Sequence, residues 1–113
     1  MKEIKAIIQP HMLSKVMESL RALPHFPGAT VSDCQGQGRG EGAGGQFVAT
    51  EESIFFTKRV KLEIFCDDAI CDELARLIQQ AAHTGSHGDG VIMVADLSRV
   101  VRIRTGQEQA EAT

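Results

Sequence analysis

Six glycines fall within the ten residues from Gly36 to Gly45, and they split the chain into two halves of similar pattern. A backbone so dense in glycine loses much entropy on ordering, so the segment from Gly36 to about Thr57 is expected to be a long mobile loop. Loops of that length inside a compact domain tend to be functional. Phe47, Ile54, Phe55 and Phe56 argue against a plain linker, because apolar side chains on a mobile segment need somewhere to dock. Gly40, Gly42 and Gly45 fit G-x-G-x-x-G, but Gln46-Phe-Val-Ala-Thr-Glu-Glu52 begins no convincing helix, so a dinucleotide-binding turn is rejected.

On the N-terminal side, Ile4 to Gln9 reads as a strand that Pro10 ends by withdrawing a donor. Leu13, Val16, Met17 and Leu20 recur at helical spacing between Met12 and Leu23, and Pro24 and Pro27-Gly28 stop that helix. Ala29 to Gln35 is a second strand. On the C-terminal side, Arg59-Val-Lys-Leu-Glu-Ile-Phe-Cys66 alternates, with Val60, Leu62, Ile64 and Cys66 on one face and Arg59, Lys61 and Glu63 on the other. Asp67-Asp68 cap a helix reaching about His83, with Ile70, Leu74, Leu77, Ile78 and Ala81 as its buried stripe. Val91 to Asp96 and Val100 to Arg104 read as strands. The order is β-α-β, loop, β-α-β, an α+β ferredoxin-like split motif with the long loop between strands 2 and 3. One domain is expected over residues 1–113, with the loop at about 37–57 and a polar, fraying tail from about 106.

A net charge of −3 argues against a nucleic-acid partner, which calls for a basic stripe. Charges interrupt the early apolar run, and no stretch of about 18 apolar residues exists, so no signal peptide or membrane insertion is expected. The expectation is a soluble, cytoplasmic protein. Cys34, Cys66 and Cys71 form no CxxC and are odd in number, which favours a reducing compartment over a disulfide framework. His83 and His87 have the spacing of a helical metal pair, but Gly85 and Gly88 disfavour a helix there, so no metal site is assigned.

The chemistry concentrates in Thr84-Gly-Ser-His-Gly-Asp-Gly90 and in Arg102-Ile-Arg104-Thr-Gly106. Glycines let backbone amides converge into a concave nest that suits phosphate oxygens. On a strand, Arg102 and Arg104 would project from one face as paired guanidiniums, with Ile103 pointing into the core. Together they describe an anion cradle for a polyphosphate, with no nucleophile and no general base, so no catalytic residue is assigned. Each element also has an ordinary use, in turns and in a half-exposed strand.

Met1-Lys-Glu-Ile-Lys-Ala-Ile-Ile-Gln-Pro10, Gly36-Gln-Gly-Arg39, Thr84-Gly-x-x-Gly-Asp-Gly90 and Val101-Arg-Ile-Arg-Thr-Gly106 resemble a PII signalling protein, in the right order over nearly the whole chain. The resemblance implies a homotrimer that binds adenine nucleotides (ATP, ADP or AMP) in clefts between subunits. It also implies a T loop that contacts a transporter, an enzyme or a regulator, and no catalytic turnover. It places phosphate contacts on Gly38, Arg39, Gly88, Asp89, Gly90, Arg102 and Arg104. Contacts nearer the adenosine fall on Ile7, Thr30, Gly36, Glu63 and Thr84, with Thr84 and the backbone around Glu63 reading the adenine edge.

Several positions depart from the family pattern. Gly40 replaces a glutamine that orients magnesium or 2-oxoglutarate, and Arg59 replaces a lysine that helps hold the 2-oxoglutarate carboxylate, so 2-oxoglutarate sensing is expected to be weak or absent. Val91 replaces a phosphate-binding lysine, which lets ADP or AMP rival ATP. The chain has no tyrosine, so the family's uridylylation of a loop tyrosine is excluded. The wording at His25-Phe-Pro-Gly28 and Ala82-His-Thr-Gly85 is similar to members associated with heavy-metal efflux. A nucleotide-sensing adaptor is therefore the favoured reading. A metal-responsive trimer is the second, and a slow nucleotide hydrolase the third; against the hydrolase, no convincing general base stands beside the cradle, since Asp89 is expected to order its own turn.

Overall fold

The computed structural model describes residues 1–37 and 56–108. Its elements are β1 (Lys2–Ile8), a 3₁₀ turn (Pro10–Met12), α1 (Leu13–Arg21), β2 (Thr30–Gly36), β3 (Thr57–Cys66), α2 (Asp68–Ala82) and β4 (Gly90–Asp96). The expected boundaries hold to within two residues, except that the first turn of the α1 region is 3₁₀, opened by Pro10, whose missing donor costs nothing at that position. The four strands form one antiparallel sheet in the order β2-β3-β1-β4. A strand from each half is thus inserted between the strands of the other, which is the ferredoxin-like split arrangement.

Alternation decides which face is covered. Ile4, Ala6 and Ile8 of β1 and Val60, Leu62, Ile64 and Cys66 of β3 are buried, and they meet Val16 and Leu20 of α1 and Cys71, Leu74, Ile78, Ala81 and Ala82 of α2 in one core. Both helices therefore lie on the same side of the sheet. Of the stripe expected on α2, Leu74, Ile78 and Ala81 are fully buried and Ile70 and Leu77 partly so. The helix starts where the sequence places it, because the Asp67 carboxylate accepts a hydrogen bond from the Ala69 amide at 3.2 Å. Burying a side chain such as Leu74 contributes roughly 1.5–3 kcal/mol, so these residues dominate the stability of the helix layer. Among the described residues, no helix is long and apolar enough to cross a membrane.

The C-terminal segment differs from expectation. Val100 to Arg104 is not a strand: Val101 makes a single bridge to Glu108, and the intervening residues turn, with the Arg102 amide bonded to Gln107 O and the Gly106 amide to Arg102 O, both at 2.8 Å. Arg99 pairs with Glu108 across the base of this turn. Ile103, expected to enter the core, is 100% exposed. The alternation is real, but no strand of the sheet lies beside it to pair with. The mobile loop expected after Gly36, and the candidate contacts Gly38 and Arg39 within it, lie outside the described residues.

Candidate functional site

The face of the sheet turned away from the helices carries four of the candidate residues, Ile7, Thr30, Gly36 and Glu63, and strand register fixes their order. Thr30 of β2 stands opposite Glu63 of β3, Ile7 of β1 is flanked by Lys61 and Val91, Cys34 stands opposite Arg59, and Gly36 opposite Thr57. Paired residues share a face, so these side chains form successive rungs on one surface. Four residues separate the Glu63 rung from the Arg59 rung, a span of about 13 Å along the strand. Phe65, Val91 and Met93 leave apolar area exposed on the same face.

Residues 84–90 close over the end of this surface, between α2 and β4. The organising group is Asp89. Its Oδ2 accepts from the amides of Thr84 at 2.7 Å and Gly85 at 2.9 Å, while Oδ1 accepts from the Thr84 hydroxyl and from Gln9 Nε2 at 3.0 Å. Four donors saturate the carboxylate. The Thr84 hydroxyl, then the Thr84 amide, hold the Asp89 carboxyl well below its ordinary range, down to about 2, with the Gly85 amide and His83 adding to the effect and burial opposing it. His83 Nδ1 stands 3.7 Å from Oδ2.

Three further amides are also spent within the loop. Ser86 N donates to Thr84 Oγ1 at 3.2 Å, Gly88 N to Ser86 Oγ at 3.1 Å, and Asp89 N to Ser86 O at 3.2 Å. Five amides of the expected nest therefore close around the chain's own carboxylate, hydroxyls and the Ser86 carbonyl rather than standing open to a phosphate. Thr84 and Asp89 are brought together as a structural pair, which agrees with Asp89 ordering its own turn.

Two glycines of the loop are dictated by close approach. A Cβ on Gly90, whose φ is +109°, would lie 1.8 Å from the Ile7 carbonyl oxygen. A Cβ on Gly88 would lie 3.2 Å from Arg59 Nη2. A hollow of about 350 Å³ beside the loop is walled by Ile8, Ala82, Val91 and Ile92, with Asp89 and His83 at its rim. Apolar walls and a carboxylate do not attract a phosphate.

The structure thus sets Ile7, Thr30, Gly36 and Glu63 along the open face, and Thr84, Gly88, Asp89 and Gly90 in the loop that closes over it. Arg102 and Arg104 stand on the C-terminal turn rather than side by side on a strand of the sheet. Sequence reasoning gave no role to Gln9, which ties β1 to the loop, and did not place Arg59 against Gly88. Neither contact has a local signal, since residues 9, 59 and 88 meet only through the sheet. Among the described residues, no group of three or more His, Cys, Asp or Glu side chains is arranged to hold a metal ion.

Residues 1–107 match the family described as nitrogen regulatory protein P-II. The chain is 40% identical over 112 residues to the nitrogen regulatory protein P-II of Azospirillum brasilense and 41% identical to that of Pasteurella multocida, with 99% of each chain covered. It is 38% identical to the nitrogen regulatory protein GlnK of Escherichia coli K12, again with 99% of both chains covered. These names describe regulators. On fold, site and full-length similarity together, the chain belongs to the nitrogen regulatory protein P-II family, whose members are signal transducers rather than enzymes.

Proposed function

We propose that this protein is a homotrimeric adaptor that binds an adenine nucleotide in clefts between neighbouring copies and regulates a partner through the segment between β2 and β3. The observation that carries this reading is the ladder of Ile7, Thr30 and Glu63 running along one open sheet face toward the 84–90 loop. An adenine laid on the Thr30–Glu63 rung would send its phosphates toward Gly36 and Gly88, while Arg102 and Arg104 come from the C-terminal turn of a neighbour. The exposure of Ile103, Val91 and Met93 favours assembly, because apolar side chains of that size gain by burial against another copy.

Ligand binding acts by population shift. A nucleotide that contacts Gly36, at the end of β2, favours one arrangement of the segment that leaves the sheet there, and so changes the surface offered to a transporter, enzyme or regulator. Gly40 has no side chain to orient magnesium or 2-oxoglutarate, so 2-oxoglutarate has little effect on affinity. Val91 offers no charge to a phosphate, so ADP and AMP compete well with ATP. The protein works in the cytoplasm, where these nucleotides are found.

Titration calorimetry with ATP, ADP, AMP and 2-oxoglutarate, run beside light scattering, tests the reading. Micromolar binding of an adenine nucleotide by a trimer, unaffected by 2-oxoglutarate, is expected. A monomer, or a chain that binds no adenine nucleotide, refutes it.

A further inference from the structure

The loop expected to grip a phosphate spends the amides of Thr84, Gly85, Ser86 and Gly88 on its own side chains and that of Asp89 on Ser86 O, so a polyanion that meets it needs further donors. Arg59 is placed to supply them. It stands on the open face, opposite Cys34 and one rung from the Gly36–Thr57 pair that ends the β2–β3 ladder. Its Nη1 donates to Lys58 O at 2.9 Å, which fixes the plane of the guanidinium. Its Nη2 lies so near Gly88 that even a methyl group there would come within 3.2 Å.

Asp89 is the nearby carboxylate that would ordinarily claim this cation. It does not, because its four acceptor positions are filled by Thr84, Gly85 and Gln9. Among the described residues, Nη2 of Arg59 meets no acceptor. A guanidinium held by one edge, half-buried, and set against a glycine turn is suited to a phosphate, since its planar fork matches two phosphate oxygens.

We propose that Arg59 grips a phosphate of the bound nucleotide, and that Gly88 is small in order to let it in. This assignment rests on the nucleotide-binding reading above and adds to it a specificity-determining residue: Arg59 selects for a phosphorylated ligand and not for the base. ATP and ADP gain from it alike, and the free nucleoside does not.

The test is calorimetry on the full chain with ATP, ADP and adenosine, for the unaltered protein, Arg59→Gln and Arg59→Lys. Arg59→Gln is expected to weaken ATP and ADP by about 10- to 100-fold, leave adenosine unchanged and keep the melting temperature. Arg59→Lys, which keeps the charge but loses the fork, is expected to fall between the two. If Arg59→Gln melts early, Arg59→Met, which preserves the packing of the stem, carries the same comparison. Equal affinities for ADP in the unaltered protein and the variants overturn the role of Arg59 and leave the nucleotide reading standing. Equal losses for ADP and adenosine also overturn it, since they mean that Arg59 shapes the cleft. Failure of the unaltered protein to bind any of the three overturns both.

Discussion

Gly90 is pressed against the main chain of Ile7: a Cβ at position 90 would lie 1.8 Å from the Ile7 carbonyl oxygen, and the φ of +109° is one that other residues rarely adopt. Contact and conformation thus exclude a side chain for separate reasons. Gly90→Ala is expected to destabilise the fold by about 3 kcal/mol or more, because β1 and β4 must separate to admit it. Urea unfolding checks this, and an unchanged midpoint would refute it.

Asp89 links stability to acid. Its folded pKa of about 2 lies below the ordinary 3.8, so its contribution is complete above about pH 4 and is lost as pH falls toward 2. Asp89→Asn removes that dependence. Melting temperatures of the two proteins should differ at neutral pH and converge on acidification through this window; a gap that stays constant to pH 2.5 contradicts the assignment.

The cysteines should separate by reactivity. Burial, then the neighbouring Cys71 thiol, pushes the Cys66 thiol up to about 11, and both side chains are inaccessible, whereas Cys34 is only half-buried. Iodoacetamide at pH 8 under native conditions should label Cys34 and spare Cys66 and Cys71, as read by peptide mass spectrometry. Because the folded pKa exceeds the ordinary 9.0, the stabilisation from Cys66 holds below pH 9 and fades as pH rises toward 11.

Two substitutions in α2 separate capping from packing. Asp67→Ala removes the acceptor of the Ala69 amide and should cost about 1 kcal/mol. Leu74→Ala opens a cavity in a fully buried position and should cost about 2–5 kcal/mol. Reversal of that order in chemical denaturation would contradict the account of the helix.

Val91→Lys restores a cation beside the loop. It should tighten ATP by about 10- to 100-fold, on the scale of one charge-assisted contact, and leave adenosine unaffected. Calorimetry reads the ratio directly, and an equal gain for adenosine would refute the electrostatic explanation.

The sheet and helices were legible because their signals are local. The Arg59–Cys66 alternation, the Asp67 cap and the stripe of α2 each lie within one element and are found where they were expected. The error at Val100–Arg104 has the opposite origin: alternation tells which side chains share a face but not whether a partner strand exists, and here the only bridge is local, from Val101 to Glu108 among the described residues. The loop shows the same limit. That Asp89 orders its own turn was legible, since three of its four donors lie within five residues, but the fourth, from Gln9, comes from 80 residues away.

The excursion between β2 and β3 departs and returns through one rung, Gly36 opposite Thr57. Lengthening such an excursion is thermodynamically cheap, about 0.6 kcal/mol for each doubling. Length and architecture are thereby decoupled: the sequence from 37 to 56 can be extended or rewritten while the sheet beneath it keeps its register and its stability.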